Sequence, residues 1–86
     1  MTGKTYNGHK SWNHWNVSLW ALNNEFYHQT IANHAEAPAY LQKTKEDALR
    51  DCLASLPRET PDGAPINADT LRPVFDAAVA YQIEYS

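Results

Sequence analysis

The sequence contains a single cysteine, Cys52, among its 86 residues. A lone thiol cannot close a disulfide within the chain, which excludes the disulfide-stapled framework of many small secreted proteins. Long hydrophobic runs are also missing: no stretch approaches the roughly 18 apolar residues that span a bilayer, and the first residues lack the hydrophobic segment of a signal peptide. We therefore expect a cytoplasmic protein with no membrane contact.

Basic residues are scarce as well. Seven lysines and arginines stand against ten aspartates and glutamates, which gives a formal net charge of −3. Most of the acids fall in residues 46–86. This excess disfavours phosphate or nucleic-acid binding and suits a basic partner, although solvated helix faces produce the same pattern more often.

Complete catalytic, cofactor and metal motifs are missing too. The segment Gly3-Lys4-Thr5 has no upstream glycine or preceding strand, so it does not predict a phosphate-binding loop. Cys52 falls on an apolar helix face, where a thiol behaves as a small buried hydrophobe with a raised pKa. We expect no metal site, because no two histidines have the spacing of a helical zinc pair: His9, His14, His28 and His34. The prediction is a non-enzymatic protein without a cofactor, and the competing hypothesis is an enzyme that uses the histidines and Cys52.

Tryptophan, by contrast, is concentrated near the start of the chain. A series of large apolar residues recurs at steps of three and four, the spacing of one face of an α-helix: Trp12, Trp15, Leu19, Leu22 and Phe26. Ser11 precedes this series and can cap the helix. So many large aromatic side chains on one short segment either build a core or expose a sticky surface, and we expect both, with the helix over residues 12–26 at the centre of the fold.

Helix-end signals divide the middle of the chain. Asn24 indicates a break or a kink before a second helix over about residues 25–35, and Pro38 marks the end of that helix. Thr44 predicts the cap of a third helix, which carries a possible Glu46–Arg50 pair and closes before Pro57.

The C-terminal part begins with a turn. Pro61, Asp62 and Gly63 predict it, because proline presets its backbone angle and glycine accepts a positive φ. A last helix over residues 69–85 takes Asp69 or Thr70 as its cap, and the alternation at its end leaves a short strand as an alternative. The sequence therefore predicts one compact all-α domain of three to four short helices, with an arm at residues 1–10 and a Pro/Gly-containing loop before the last helix.

Asparagines alternate with the tryptophans in the first helix. A buried asparagine needs hydrogen-bond partners for both its amide groups. We expect Asn16, next to Trp15, to join the helix to a loop and not to bind a ligand.

The stretch over residues 6–27 resembles a family of small uncharacterised proteins encoded by bacteriophages, prophages and plasmids. The family pattern is Tyr-Asn-Gly, then Trp-Asn-Val-x-Leu-Trp, then Asn-Asp/Asn-Glu and a tyrosine. It departs from this sequence at His14, where threonine is usual, and at Asn24, where aspartate is common. The positions that match are Tyr6, Asn7, Gly8, Trp15, Asn16, Val17, Leu19, Trp20, Asn23, Asn24, Glu25 and Tyr27. The resemblance implies a mobile-element origin and carries no activity with it.

These observations favour a phage accessory protein that binds a host protein in the bacterial cytoplasm. The expected partner is a component of an antiviral defence system, such as a CRISPR effector, which the protein would block by occlusion. A homodimer is compatible with the sequence. The alternative is a small nucleic-acid-binding module that stacks bases on tryptophan. The residues predicted to contact a partner are Trp12, Trp20, Tyr27, Asp47, Asp51 and Asp62.

Overall fold

The computed structural model describes residues 11–85, with side chains described as far as residue 82. The predicted arm at residues 1–10, with the motif residues Tyr6, Asn7 and Gly8, lies outside this range. Within it the chain forms five helices: α1 (Trp12–Asn23), α2 (Glu25–Ala35), α3 (Ala37–Tyr40), α4 (Lys45–Ala54) and α5 (Ala68–Tyr85). No strand forms in this part of the chain, which confirms the predicted small all-α domain.

Side-chain caps begin three of the helices where the sequence predicts them. Ser11 accepts the backbone N–H of His14 at the start of α1, and Thr44 accepts that of Asp47 at the start of α4. Asn24 separates α1 from α2, because its side chain accepts the N–H groups of the first turn of α2. The break at Asn24 is therefore complete and not a kink.

The cap predicted for the last helix is wrong, whereas the predicted ends of the second and last helices are confirmed. Helix α5 begins at Ala68 because the Asn67 side chain accepts the N–H groups of the next turn, so neither Asp69 nor Thr70 is the cap. Helix α2 ends at Ala35 as predicted, and Pro38 then occupies the first turn of a short additional helix, α3, where its missing N–H is least costly. The C-terminal residues continue α5 to Tyr85, so the strand alternative is wrong.

Helices α2 and α5 form the centre of the fold, since each contacts the other four helices. Among the helices of residues 11–85, α1 contacts only α2 and α5, so it lies at one side of this helical core, and the expectation that it lies at the centre is wrong. The largest fully buried side chains come from several elements: Phe75, Leu49, Leu71, Val17, Asn16 and Cys52. None of the helices in residues 11–85 combines the length and hydropathy that a membrane span needs.

Candidate functional site

The large apolar series of α1 points outward. Trp12 and Leu19 are each 38 % exposed, Leu22 is 63 % exposed and Trp15 is half-buried. We call these four residues the α1 stripe. Phe26, which continues the series at the start of α2, is 57 % exposed. Of the two roles expected for the tryptophan segment, this face supplies the exposed surface, while Trp20 packs against the core.

Smaller residues form the buried side of α1. Val17, Ser18 and Ala21 recur at helical spacing, as the α1 stripe does, and they face α2 and α5 together with His14. Small side chains let neighbouring helices approach closely, so they suit the buried side of a helix that sits on two others. Periodicity alone reveals two faces of α1 and does not say which of them is buried.

A groove of about 670 Å³ adjoins the α1 stripe. Helices α1 and α2 supply half of its lining, namely Ser18, Ala21, Leu22, His28, Ile31 and Ala32. Helix α5 supplies the other half: Pro73, Val74, Ala77, Ala78, Tyr81 and Gln82. None of these twelve residues is an Asp, Glu, Lys or Arg, although such residues make up 20 % of the chain.

Leu22 belongs both to the α1 stripe and to the groove, so the two are continuous. We call the combined surface the apolar face. Its projecting members are the stripe residues and Tyr81, which is 60 % exposed. Soluble proteins rarely leave large contiguous apolar patches uncovered, and such patches mark binding surfaces.

On another side of α1, Asn16 joins the helix to the loop after α4. Its Nδ2 donates to a carboxylate oxygen of Asp62 at 2.9 Å, and its Oδ1 accepts the Thr60 hydroxyl at 2.6 Å. Asn16 is 1 % exposed, so both ends of the buried amide are satisfied. These hydrogen bonds agree with the expected helix-to-loop contact, and we call them the Asn16 clamp.

The loop that receives Asn16 is a tight turn. The Thr60 N–H donates to the Ala64 carbonyl at 2.8 Å, and an isolated antiparallel bridge pairs Glu59 with Pro65. Gly63 has φ of 96°, a conformation that glycine adopts without strain. The predicted Pro-Asp-Gly turn is present, and it places Asp62 against α1.

Asp62 also accepts the indole N–H of Trp20 at 2.9 Å. The hydrogen bonds from Asn16 and Trp20 stabilise the charged carboxylate and hold the pKa of Asp62 below its usual value. The Trp20 ring packs against the core and meets Tyr27 edge-on at 6.1 Å between centroids. Asp62 and Trp20, both predicted to contact a partner, are thus bonded to each other.

Tyr27 requires a correction as a predicted contact residue. Its side chain is 8 % exposed and belongs to the hydrophobic core, so its ring does not form part of a binding surface. Trp12 is the one predicted aromatic contact residue with a substantially exposed side chain among the described residues.

Internal ion pairs engage the acids of α4. Asp51 pairs with Lys43, and Asp47 pairs with Arg50 at 3.1 Å, so the predicted Glu46–Arg50 pair is wrong. Glu46 instead accepts two hydrogen bonds of 2.8 Å from the guanidinium of Arg72 on α5. These contacts lower the pKa of both Glu46 and Asp51 through hydrogen bonds from Arg72 and Lys43 respectively. The sequence offered no signal for the Glu46–Arg72 pair, which depends on how α4 and α5 pack.

One histidine is buried next to a hydroxyl and a carboxylate. Nδ1 of His14 lies 2.7 Å from the Ser11 hydroxyl oxygen, and Nε2 lies 3.2 Å from Asp69. In a hydrolytic Ser-His-Asp triad the two ring nitrogens have the opposite partners. Here the Ser11 oxygen accepts the His14 backbone N–H, so the arrangement fits a role in fastening the start of α1 to the start of α5.

Cys52 is fully buried, and burial raises the pKa of its thiol to about 11. The thiol therefore belongs to the core, as expected, and at neutral pH it is protonated and unreactive. In residues 11–82, no group of three or more His, Cys, Asp or Glu side chains is arranged to hold a metal ion.

A family model matches residues 2–81, which is nearly the whole sequence. The chain belongs to the family of unknown function DUF7249. The matched region contains the α1 stripe, the Asn16 clamp and all but Gln82 of the groove lining. No curated protein and no solved structure matches the chain.

Proposed function

We propose that this protein is a non-enzymatic phage accessory protein that binds a host protein through its apolar face. The bound protein is a component of an antiviral defence system in the bacterial cytoplasm, such as a CRISPR effector, and binding blocks it by occlusion. The observation that carries the proposal is the outward direction of the α1 stripe, beside a groove without charged side chains.

The composition of the apolar face favours a protein partner. Cores of protein interfaces are depleted in charged residues and enriched in aromatic anchors. The face matches both properties, with Trp12 and Trp15 along α1 and Tyr81 on α5. A nucleic acid would need cations along its backbone, whereas Lys43, Lys45 and Arg72 are paired with acids of this chain.

The phage origin is supported by the motif that α1 carries. Trp15, Asn16, Leu19 and Trp20 follow the pattern of small proteins from phages, prophages and plasmids. Asn16 and Trp20 both donate hydrogen bonds to Asp62 and so hold α1 against the loop after α4. Trp15 and Leu19 belong to the α1 stripe. The motif thus combines residues that fix the position of α1 with residues of the exposed α1 stripe.

A capture experiment with matched variants tests the proposal. The tagged protein is incubated with host lysate, and the recovered proteins are identified by mass spectrometry. Leu22→Lys places a charge on the apolar face, and Leu41→Lys places the same charge at a leucine that is 70 % exposed outside it. We expect wild type and Leu41→Lys to recover one defence complex and to inhibit it, and Leu22→Lys to do neither.

Two results would count against the proposal. Equal recovery by all three proteins would show that the apolar face does not bind the partner. Recovery of nucleic acid alone, in a salt-sensitive manner, would support the alternative of a nucleic-acid-binding module.

A further inference from the structure

We propose that, without its partner, the protein covers the apolar face with a second copy of itself. The product is a two-fold symmetric dimer that must open before the partner binds. The inference rests on the proposed function only in that both use the apolar face. It adds that self-association regulates access of the partner to that face.

The shape of the apolar face is self-complementary. A two-fold interface brings the same patch from both copies together, so the patch must contain both projections and recesses. Leu19, Leu22 and Tyr81 project, whereas small residues such as Ala77 and Ala78 line the adjoining groove. One copy therefore presents the side chains that fill the other copy's groove.

The charge distribution also favours a second copy. Two molecules with a net charge of −3 repel each other when their charged surfaces meet. The α1 stripe and the groove lining contain no Asp, Glu, Lys or Arg, so a second copy brings none of the residues that make up the formal charge into contact. A charged partner segment, in contrast, would be desolvated without a counter-charge.

The spacing of the α1 stripe is that of a helix-pairing seam. Trp12, Trp15, Leu19 and Leu22 follow each other at steps of three, four and three, the a and d positions of a heptad. Such a seam packs against another helix that carries the same pattern. Within the described residues, the helix with this seam exposed is α1 itself, and the second copy supplies its match.

The size of the apolar face agrees with a modest interface. Twelve residues line the groove, and Trp12, Trp15, Leu19 and Phe26 lie on or next to the stripe outside that lining. A standard interface uses about 20–30 residues from each side. The face has fewer residues than that, which suits a weak dimer that another protein can displace.

Sedimentation velocity measures the self-association directly. The wild-type chain is examined from about 1 µM to about 300 µM, a range that brackets weak dimer affinities. We expect its mass to rise from 9.7 kDa toward twice that value. Leu22→Lys should weaken the dimer at least about tenfold, because it buries an uncompensated charge, whereas Leu41→Lys should leave it unchanged.

A second pair of variants locates the interface on α5. Ala77 and Ala80 are both exposed on this helix, but only Ala77 lines the groove. Ala77→Glu should weaken the dimer as Leu22→Lys does, and Ala80→Glu should not. Circular dichroism of each variant establishes that the helices are retained.

The outcomes separate the dimer from the proposed function. A wild-type chain that stays at 9.7 kDa throughout, or a dimer equally sensitive to Leu41→Lys and Ala80→Glu, overturns the dimer and leaves the capture result untouched. A monomer that retains an apolar small molecule in native mass spectrometry overturns it as well. A dimer with the expected sensitivity that captures no host protein supports the dimer and overturns the proposed function.

Discussion

Single residues hold α1 in place, and among them Asn16 has a buried amide that needs hydrogen-bond partners at both ends. Its amide is buried and bonded at both ends to the loop after α4. The sequence indicated this role, because an asparagine between tryptophans on a helix must find partners once it is buried. The identities of those partners, Thr60 and Asp62, could not be predicted, since more than 40 residues separate them from Asn16.

Replacing Asn16 should therefore destabilise the protein. We expect Asn16→Ala to lower the free energy of unfolding by about 2 kcal/mol, because it removes two hydrogen bonds and leaves the Thr60 hydroxyl without its acceptor. Asn23→Ala removes an exposed bond to a carbonyl of the same helix and should cost less than about 0.5 kcal/mol. Urea unfolding followed by tryptophan fluorescence measures both. Equal losses for the two variants would contradict the role of the clamp.

Cys52 provides a pH-dependent prediction at the same scale. Burial raises the pKa of its thiol from 9.0 to about 11, so between these values the unfolded chain loses the proton that the native chain keeps. The unfolded state then binds fewer protons, and stability falls as the pH rises from 9 toward 11. Cys52→Ala should remove this part of the decline in stability, measured by urea unfolding at a series of pH values. A variant whose decline equals that of wild type would refute the assignment.

The same thiol should resist modification. At pH 8 we expect it to react with an aromatic disulfide reagent at least about a hundredfold more slowly in the native protein than in urea, because the native thiolate fraction is far smaller. The absorbance of the released thiolate follows the reaction. Comparable rates in the two states would show that the thiol is accessible.

For helix α1, the periodicity of the sequence predicted the helix but not the face that it buries. The step of three and four residues correctly predicted a helix, and Ser11 and Asn24 correctly predicted its ends. Large apolar side chains are usually buried, and periodicity did not reveal that Leu22 is an exception. The fold instead buries Val17 and Ala21, and the choice between the two faces depends on the shape of α2 and α5, which the sequence of α1 does not contain.

Two truncations test the orientation of α1. Val17 is 2 % exposed, so Val17→Ala should cost about 2 kcal/mol through lost burial and a small cavity. Leu22 is 63 % exposed, so Leu22→Ala should change the stability of the monomer by less than about 0.5 kcal/mol. Unfolding at about 1 µM protein keeps self-association out of the comparison. A larger loss of stability for Leu22→Ala than for Val17→Ala would show that the α1 stripe is the buried face.

Across the whole molecule, charges from distant parts of the sequence neutralise each other. Lys45 on α4 meets Asp76 on α5 at 3.3 Å, and Arg72 holds Glu46. The sequence showed an acidic C-terminal half, and in the folded protein several of these acids are paired with a lysine or an arginine. The acids are thus poor candidates for the main contact with a partner, and the apolar face is the better one.

Salt dependence distinguishes these two modes of binding. For the captured partner, we expect the Kd to change less than about threefold between low and high salt, because contacts between uncharged surfaces are not screened. A contact between acids and a basic groove would weaken more than about tenfold over the same range. Surface plasmon resonance at several sodium chloride concentrations measures the difference. Strong weakening by salt would assign the contact to the acids.

The outward direction of the α1 stripe has an evolutionary consequence. Positions such as Leu19 and Leu22 contribute little to holding the chain together, since Val17, Ala21 and Asn16 do that from other sides of the helix. Substitutions at these positions should therefore leave the fold intact and affect mainly the contacts that the exposed side chains make. Under the proposed function, a lineage can therefore change its partner-contacting residues one at a time while keeping the same architecture.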